Sequence, residues 1–393
     1  MHVKCVRIYF LSDARPPKYF TRGFCCSLDL RRLGSTVRKK GIGIMNYQIM
    51  SGDIVTAEWI DGKLNIIDEA HLPLFLKNFS DLNAWLETRA IDSHRANSRL
   101  LKKALRLAER DDVNTVLAVN AATITDNYWI REFGSSLSYT DVKFDNDYFA
   151  ALALHGSYDS FNRAALAETT KTPELTNIGS FEKCWKLQDG HWWLHKTASD
   201  EELFSELFIY ELGKRLGITM AECHCGDHVL KSLDFTNAGE VILEHANSFM
   251  GDNDDYDDVL SALEKICPQA IPDYVRMIFL DTITANPDRH TANFGLLRDA
   301  ATGQLLGLAP LFDHNMALIS RGYPKPFDAT KKDMLITLFL DVLNGHREYA
   351  EYIPTLTEEL LAAAAEAVDV KVRKNEVTDF VWHRYLAIRQ HIA

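Results

Sequence analysis

Alternating apolar and polar residues predict strands in the first part of the chain after residue 45. Residues 54–60 and 63–67 have strand-like composition, and they flank Asp61-Gly62, a pair that favours a two-residue hairpin turn. Two stretches with helical spacing of apolar residues follow, the second ending near residue 108. We therefore expect an α/β unit, the N-terminal unit, over residues 45–170.

A hydrophilic connecting segment at residues 168–180 separates the N-terminal unit from a second unit. Two strand-like stretches follow around the turn Asp189-Gly190, and a helical pattern then runs over residues 201–216. Asp200 is expected to cap this helix, because aspartate is a favoured N-cap residue. We therefore predict a β-rich unit over residues 171–248.

The pattern over residues 249–393 is mainly helical. Pro272-Asp273 and Thr357 are typical of helix starts, and Thr378 is expected to cap the last helix. No apolar run approaches the roughly 18–20 residues that a membrane-spanning helix needs. We therefore predict a helical third unit in a soluble protein.

Composition and charge narrow the classes of protein. The chain has 393 residues, of which 47% are hydrophobic and 25% charged, as expected of a globular protein with two or three units. Its 43 basic and 55 acidic residues leave a net charge of −12, which argues against broad electrostatic binding of nucleic acid. Residues 1–44 differ, with ten basic and two acidic residues. We interpret this leader as a poorly packed extension or an upstream start; a nucleic-acid or membrane arm is the alternative.

The seven cysteines indicate a reducing compartment. Three of them lie in the leader, they form no even framework and no export signal accompanies them, so we expect free thiols and a cytoplasmic location. Cys223-His224-Cys225 contains metal-ligand residue types, but strand alternation turns His224 away from the two cysteines. We interpret Cys223 and Cys225 as buried cysteines of a strand.

The densest group of polar residues lies at 286–295 and reads Asn-Pro-Asp-Arg-His-Thr-Ala-Asn-Phe-Gly; we call it the polar loop. Asp288 and Asn293 have the spacing of the base and the metal-binding Asn in kinase catalytic loops. An apolar stretch then ends at Asp313, which adds a second carboxylate for Mg²⁺. The spacing predicts phosphoryl transfer; the alternative is a turn whose Asn and Asp side chains bind their own backbone.

The order of upstream residues supports this prediction. A loop over residues 176–180, the glycine loop, precedes Lys196 on a predicted strand and Glu202 and Glu206 on a predicted helix. Kinases need backbone amides near the phosphates, a lysine on the phosphate oxygens and a glutamate that fixes the lysine. Taken alone, Lys196 also fits an edge-strand residue that aids solubility, and Glu206 a solvated helix position.

Two further motifs are Leu-Ala-Pro-Leu-Phe-Asp-His-Asn at 308–315 and Glu-Leu-Phe-Ser-Glu-Leu at 202–207. Together with the polar loop, they resemble the HipA-like serine/threonine kinases, particularly the shorter bacterial branch of CtkA-type proteins. Weaker matches lie at 173–180 and 126–130, so the likeness extends from about residue 45 to the C-terminus. The His-Arg-Asp and Asp-Phe-Gly motifs of ordinary protein kinases are absent from the sequence.

The resemblance implies an α+β, protein-kinase-like two-lobed fold with the additional N-terminal α/β unit. Residues 171–248 would form the small lobe and 249–393 the helical lobe, with ATP and Mg²⁺ between them. By resemblance, Asp288 is the catalytic base, and Asn293 and Asp313 are the Mg²⁺ ligands.

Further residues are assigned to ATP by the same resemblance. Lys196 would bind phosphate, with Glu206 preferred over Glu202 as its partner. The glycine loop would approach the phosphates, and the resemblance implies that a serine of this loop is autophosphorylated and the loop ejected. The ATP residues of this loop are Asn177, Gly179 and Ser180, and Ser180 is the candidate acceptor.

The resemblance assigns roles at two further positions. His290 would support the polar loop, with direct proton transfer as the alternative, and the hinge that meets adenine would lie near Glu244 and the two residues before it.

The implied function is an ATP- and Mg²⁺-dependent serine/threonine kinase that acts on a protein substrate. The resemblance also implies a toxin–antitoxin or effector system with an antitoxin or regulatory partner. The net charge and the lack of a membrane-spanning apolar run predict no direct contact with nucleic acid or membrane. A secreted effector role is the alternative to a cytoplasmic one. The alternative functions are a kinase of a small molecule or lipid, AMP transfer, and a catalytically weak regulatory module. A DNA-associated repressor subunit is disfavoured by the net charge of −20 after the leader.

Overall fold

The computed structural model describes residues 46–107 and 111–392, so the basic leader and its cysteines lie outside the described residues. This part combines small antiparallel sheets with helices, which confirms the predicted α+β class. The strands are β1 (Tyr47–Ser51), β2 (Ile54–Ile60), β3 (Lys63–Ile66), β4 (Tyr128–Glu132), β5 (Lys183–Gln188), β6 (His191–Thr197), β7 (Cys223–Gly226), β8 (Val229–Leu233), β9 (Val241–His245), β10 (Gly295–Asp299) and β11 (Leu305–Leu308). The helices are α1 (Leu74–Phe79), α2 (Leu82–Thr88), α3 (Ser98–Ala104), α4 (Asp112–Leu117), α5 (Tyr139–Val142), α6 (Ala150–His155), α7 (Tyr158–Ala165), α8 (Asp200–Arg215), α9 (Asn247–Met250), α10 (Tyr256–Ile266), α11 (Ile271–Ile283), α12 (Met334–Gly345), α13 (Glu358–Glu366) and α14 (Lys374–Ile392).

The N-terminal unit is built on a four-stranded sheet with the order β3-β2-β1-β4. All its strand pairs are antiparallel. Asp61 and Gly62 both have positive φ, at 50° and 77°, and join β2 to β3. This is the backbone of a tight hairpin turn, so the predicted hairpin is confirmed.

A second four-stranded sheet has the order β5-β6-β8-β7 and carries α8 against it. The two-residue turn at Asp189 and Gly190 pairs Lys183 with Lys196 across β5 and β6. The predicted cap of α8 is wrong by one residue. Ser199 is the N-cap: its hydroxyl accepts from the backbone N–H of Glu202, whose carboxylate accepts from the backbone N–H of Ser199 at 2.8 Å. This reciprocal pair makes Asp200 the first helical residue.

The helical half packs around α11, most of whose residues are buried. Thr357 caps α13 as predicted. Thr378 does not start the last helix, because α14 already begins at Lys374 and the Thr378 hydroxyl donates to the backbone of Asn375. Within the described ranges, no helix combines the length and apolar character that a membrane crossing needs.

The cysteines of β7 differ in exposure. Cys223 is buried beside Leu203 of α8 and Leu230 of β8, whereas Cys225 is exposed. The interpretation of both as buried is therefore wrong for Cys225, because β7 is an edge strand and the cluster that covers Cys223 leaves Cys225 exposed.

The N-terminal unit shares its hydrophobic core with the second sheet. Trp185 and Trp192 of β5 and β6 belong to the same buried cluster as Trp129 of β4 and Phe149. A backbone bond from Leu243 of β9 to the carbonyl of Thr125 joins the unit to the third sheet, which has the order β11-β10-β9. The N-terminal unit thus braces both sheets, and the predicted boundaries at residues 170 and 248 stay predictions.

The packing of α12 generates a stability prediction. The ring of Phe339 is buried with its centroid 6.0 Å from that of Phe279, whereas the neighbouring Leu338 is exposed. We expect Phe339→Ala to lower the free energy of unfolding by about 3–5 kcal/mol, because it leaves a cavity in the core. Leu338→Ala, the control on the same helix, should cost less than about 1 kcal/mol. Urea titration followed by circular dichroism measures both, and equal losses would contradict this packing.

Candidate functional site

The centre of the site is an ion pair between Lys196 on β6 and Asp313. The Nζ of Lys196 donates to Oδ1 of Asp313 at 2.7 Å across 117 residues of sequence. Burial opposes both charges, but Lys196 and then Lys183 hold the pKa of Asp313 well below its usual range. Asp313 and Glu206 raise the pKa of Lys196 against the same burial. Both partners are therefore ionised at neutral pH.

Glu206 on α8 holds the residue that follows Asp313. Its buried carboxylate accepts the backbone N–H of His314 at 2.6 Å. It also acts on Lys196 through its charge, although the hydrogen bond of Lys196 goes to Asp313. Glu202 is occupied by the capping box at the start of α8. The placement therefore favours Glu206 over Glu202, and its role towards ATP stays a prediction.

The polar loop is anchored by Asp281 near the end of α11. One carboxylate oxygen accepts from Nδ2 of Asn286 at 2.7 Å, and the other from Nε of Arg289 at 2.8 Å. Nη1 of Arg289 then donates to the backbone oxygens of Asn293 at 2.6 Å and Phe312 at 2.8 Å. Arg289 therefore ties the polar loop to the residue that precedes Asp313.

Within the polar loop, Asp288 and Asn293 are joined directly. Nδ2 of Asn293 donates to the backbone oxygen of Asp288 at 2.9 Å, which leaves the amide oxygen for a cation. Burial raises the pKa of the half-buried Asp288; His290 opposes this shift and Asp313 adds to it. A raised pKa suits a carboxylate that accepts a proton. His290 is exposed, and its Nδ1 accepts the backbone N–H of Ala292.

Asp313 has a backbone conformation that is costly for a residue with a side chain. Its φ is 61°, in the left-handed region. Arg289 binds the carbonyl on its N-terminal side and Glu206 the amide on its C-terminal side. Such conformations persist where surrounding contacts enforce them, as they do here.

Arg95 of the N-terminal unit holds the glycine loop from its buried side. Nη2 of this buried arginine donates to the backbone oxygens of Asn177 at 2.7 Å and Gly179 at 3.2 Å. Nδ2 of Asn177 donates to the buried Glu174, so the Asn177 side chain supports the loop. Gly179 has a φ of 100°, which disfavours any other residue, and Ser180 is exposed.

Arg95, Lys183 and the Asp281–Arg289 pair were assigned no role from the sequence. Lys183 lies opposite Lys196, and a Cβ built on Gly179 would collide with its ammonium. Burial and then Lys196 lower the pKa of Lys183 to about 7. The signal for Lys183 was available, since a two-residue turn at 189 and 190 pairs 183 with 196. Arg95 lies in a loop 82 residues before Asn177 and gives no such signal.

The side chain of Glu244 is directed towards the N-terminal unit. Its buried carboxylate accepts from Oη of Tyr128 at 2.8 Å and from the backbone N–H of Leu74, and it lies 3.2 Å from Nε of Arg298. Burial raises its pKa against the opposing charge of Arg298. The Glu244 side chain therefore joins β9 to the N-terminal unit, and a hinge role of its backbone stays a prediction.

A comparison with protein-family models shows which family the chain belongs to. The model of the HipA-like C-terminal domain matches residues 165–379, more than half of the chain. The chain belongs to the HipA-like family. This confirms the resemblance drawn from the motifs, and the matched region of this HipA-like protein contains every predicted site residue. The CtkA-type branch stays a prediction.

Two solved structures are also similar to this HipA-like chain. The Helicobacter pylori proinflammatory kinase CtkA is 17% identical with a TM-score of 0.43, covering 53% of this chain and 94% of that one. HipA of the Shewanella oneidensis MR-1 toxin–antitoxin system, in a complex with HipB and operator DNA, is 13% identical with a TM-score of 0.49, covering 88% of this chain and 96% of that one. Both scores lie below 0.5, so the family rests on the family model. A comparison with curated proteins finds no match.

The anchor of the polar loop generates a second stability prediction. Asp281→Ala leaves the guanidinium of Arg289 buried without its carboxylate, which should cost about 3–5 kcal/mol of unfolding free energy. Asp273→Ala on the same helix removes the more exposed pair with Arg276 and should cost less than about 1 kcal/mol. Chemical denaturation of both variants compares them. A loss for Asp281→Ala no larger than that for Asp273→Ala would refute the anchoring role.

Proposed function

We propose that this protein transfers the γ-phosphate of ATP to a serine or threonine hydroxyl of a protein. Membership of the HipA-like family supports a kinase-type enzyme. The observation that carries the proposal is the junction made by Arg289, which holds the Asp288–Asn293 loop against the Lys196–Asp313 pair. This junction supports the proposed roles of Asp288 as base, of Lys196 as phosphate-binding cation and of Asn293 and Asp313 as metal ligands.

The donor set fits Mg²⁺. Asn293 and Asp313 would hold it through an amide and a carboxylate oxygen, which are ligand types that Mg²⁺ takes. Among the residues that the structure describes, no group of three or more His, Cys, Asp or Glu side chains is placed to hold a metal alone. Mg²⁺ commonly binds through one or two carboxylates together with substrate phosphates, so this sparse set is suitable. When bound, Mg²⁺ would neutralise negative charge on the phosphates.

The glycine loop fits a phosphate chain. Gly179 is exposed and has no side chain, so the phosphates can approach its backbone closely. Arg95 fixes the carbonyl oxygens of the loop on the buried side. The loop is therefore shaped before the nucleotide arrives, which lowers the ordering cost of binding.

In the transfer step, Asp288 orients the acceptor hydroxyl and takes its proton. The hydroxyl oxygen forms a bond to the γ-phosphorus while the bond from that phosphorus to the ADP oxygen breaks. The ammonium of Lys196, held by Asp313, neutralises charge on the phosphate oxygens as this happens. Asn293 fixes the backbone of Asp288, and His290 supports the loop beside it.

We propose two forms of regulation, one by phosphorylation at this site and one by a partner protein. Ser180 is exposed beside Gly179, which makes its hydroxyl available as an acceptor within the chain itself. A phosphate there would add negative charge to the loop that Lys183 reaches at Gly179, and it would compete with the phosphates of ATP. A protein partner of the antitoxin kind would regulate the enzyme.

Incubation with labelled ATP and Mg²⁺ tests the proposed function. Wild type should incorporate label on serine or threonine, whereas Asp288→Ala should reduce transfer about 10²–10⁴-fold, because it removes the general base. ATP binding should be retained by Asp288→Ala, and the exposed control Asp341→Ala should behave as wild type in both assays. Transfer by Asp288→Ala near the wild-type rate would reject the role of the base. Mass spectrometry maps the acceptor, and an adenylyl adduct would replace phosphoryl transfer by AMP transfer.

A calorimetric titration tests the metal site separately. Mg²⁺ should tighten ATP binding to wild type and to Asp341→Ala. It should no longer do so for Asp313→Ala, because that variant lacks the carboxylate that would hold the cation beside Lys196. Circular dichroism checks that Asp313→Ala is folded. An unchanged Mg²⁺ dependence in the folded variant would remove Asp313 from the metal site.

A further inference from the structure

We propose that Arg321 selects the protein substrate by binding an aspartate or glutamate that lies within about three residues of the acceptor hydroxyl. The inference rests on the proposed function, because it names the class of peptide that the same site would take. Three observations carry it: the placement of the segment that contains Arg321, the lack of a partner for its guanidinium, and the opposite charge of a second segment beside the polar loop.

The segment over residues 319–332, which we call the basic segment, begins and ends at the C-terminal end of α11. Just before it, the backbone N–H of Leu318 donates to the carbonyl of Thr284 at 3.1 Å. Just after it, Arg384 binds Asp333 and also donates to a backbone carbonyl of α11 at 2.8 Å. The polar loop starts from the same end of α11, so both ends of the basic segment are held near that loop.

Arg321 lies three residues after the first of these contacts. The turn that contains it is tight, because the backbone N–H of Gly322 donates to the carbonyl of Ile319 at 2.8 Å. Burial raises the pKa of Asp288, and the charge of Arg321 is among those that oppose this shift. The guanidinium is therefore near the carboxylate that would orient the acceptor hydroxyl.

The charge of Arg321 is available to a ligand. Arg289, which also acts on Asp288, is committed to Asp281. Arg321 is exposed, and within the described ranges no acceptor lies within bonding distance of its guanidinium. A guanidinium has five N–H donors and binds a carboxylate through two parallel hydrogen bonds, so an acidic side chain suits it.

The basic segment strengthens this preference for negative charge. It contains four basic residues and one acid, Asp328, in a chain with a net charge of −12. The carboxylate of Asp328 pairs with Lys331 at 3.0 Å, within the same segment. An acidic peptide is therefore attracted to this segment although the protein as a whole is acidic.

A segment of opposite charge lies against the same polar loop. Oγ1 of Thr291 donates to the carbonyl of Gly251 at 2.7 Å, and an acidic stretch follows directly. Its exposed aspartates are Asp252, Asp254, Asp255, Asp257 and Asp258. A carboxylate of a bound peptide is repelled by this stretch and attracted by Arg321. The two segments thereby give an acidic residue of the substrate one preferred place.

Phosphate transfer to synthetic peptides tests the inference. Each peptide has one acceptor serine and carries Asp, Asn or Lys at one of the three positions before or after it. For at least one position, wild type should have a kcat/KM about tenfold higher with Asp than with Asn, because a charge-assisted pair forms. Arg321→Gln should lose this preference, and Arg321→Glu should prefer Lys. The matched control is Arg347→Gln, at an exposed arginine outside the basic segment, which should keep the wild-type preference.

The ratio between peptides separates recognition from an effect on the base. Arg321→Gln also removes a charge that acts on Asp288, which changes the rates with the Asp and Asn peptides alike. The ratio of the two rates changes only if Arg321 binds the acidic residue. The preference of wild type for Asp should also weaken as salt is raised, because the pair is exposed. An unchanged ratio in Arg321→Gln, or a preference of wild type for Lys, would overturn the inference.

Peptide binding makes the outcomes for the two proposals distinct. Fluorescence anisotropy measures the binding of the same peptides with alanine in place of the acceptor serine. Binding of Asp peptides that depends on Arg321, in a wild-type protein that transfers no phosphate, would uphold the acidic-peptide site and reject the kinase function. Phosphate transfer without any preference for Asp would do the reverse. Wild type that neither binds nor phosphorylates any peptide would reject both.

Discussion

The buried ion pair of Asp281 and Arg289 is the constraint on which the site depends. Both side chains are almost fully buried, so each requires the other to remain charged inside the protein. Arg289 uses its remaining donors on the backbone of Asn293 and Phe312. One guanidinium thereby fixes the polar loop, the approach to Asp313 and the end of α11 in a single arrangement.

A second set of contacts positions the charged residues of the site. Glu206 and Arg289 hold the two sides of Asp313, and Asp313 in turn holds Lys196. The N-terminal unit contributes through Arg95, whose guanidinium fixes the glycine loop. The unit is therefore part of the support of the site, and it also shares a hydrophobic core with β5 and β6.

Local patterns were sufficient for much of the fold and for the central residues. The hairpins, α8 and the spacing of Asp288 and Asn293 depend on neighbours in sequence, and the structure has them in the predicted order. Asp281, by contrast, is one of two acids in a mainly apolar helix, and its pairing with Arg289 depends on the tertiary structure. The cap of α8 was misplaced because Ser199 and Asp200 are both favourable caps, and the reciprocal bond with Glu202 decides between them.

The register of β5 and β6 places two lysines directly opposite each other, which destabilises the strand pair. Like charges directly opposite each other weaken a strand pair, and burial makes the repulsion of Lys183 and Lys196 stronger. Asp313 pairs with Lys196, and burial and then Lys196 lower the pKa of Lys183 to about 7, so Lys183 carries only part of its charge at neutral pH. Local arrangements that oppose stability are expected at functional sites, where a ligand supplies the missing interaction.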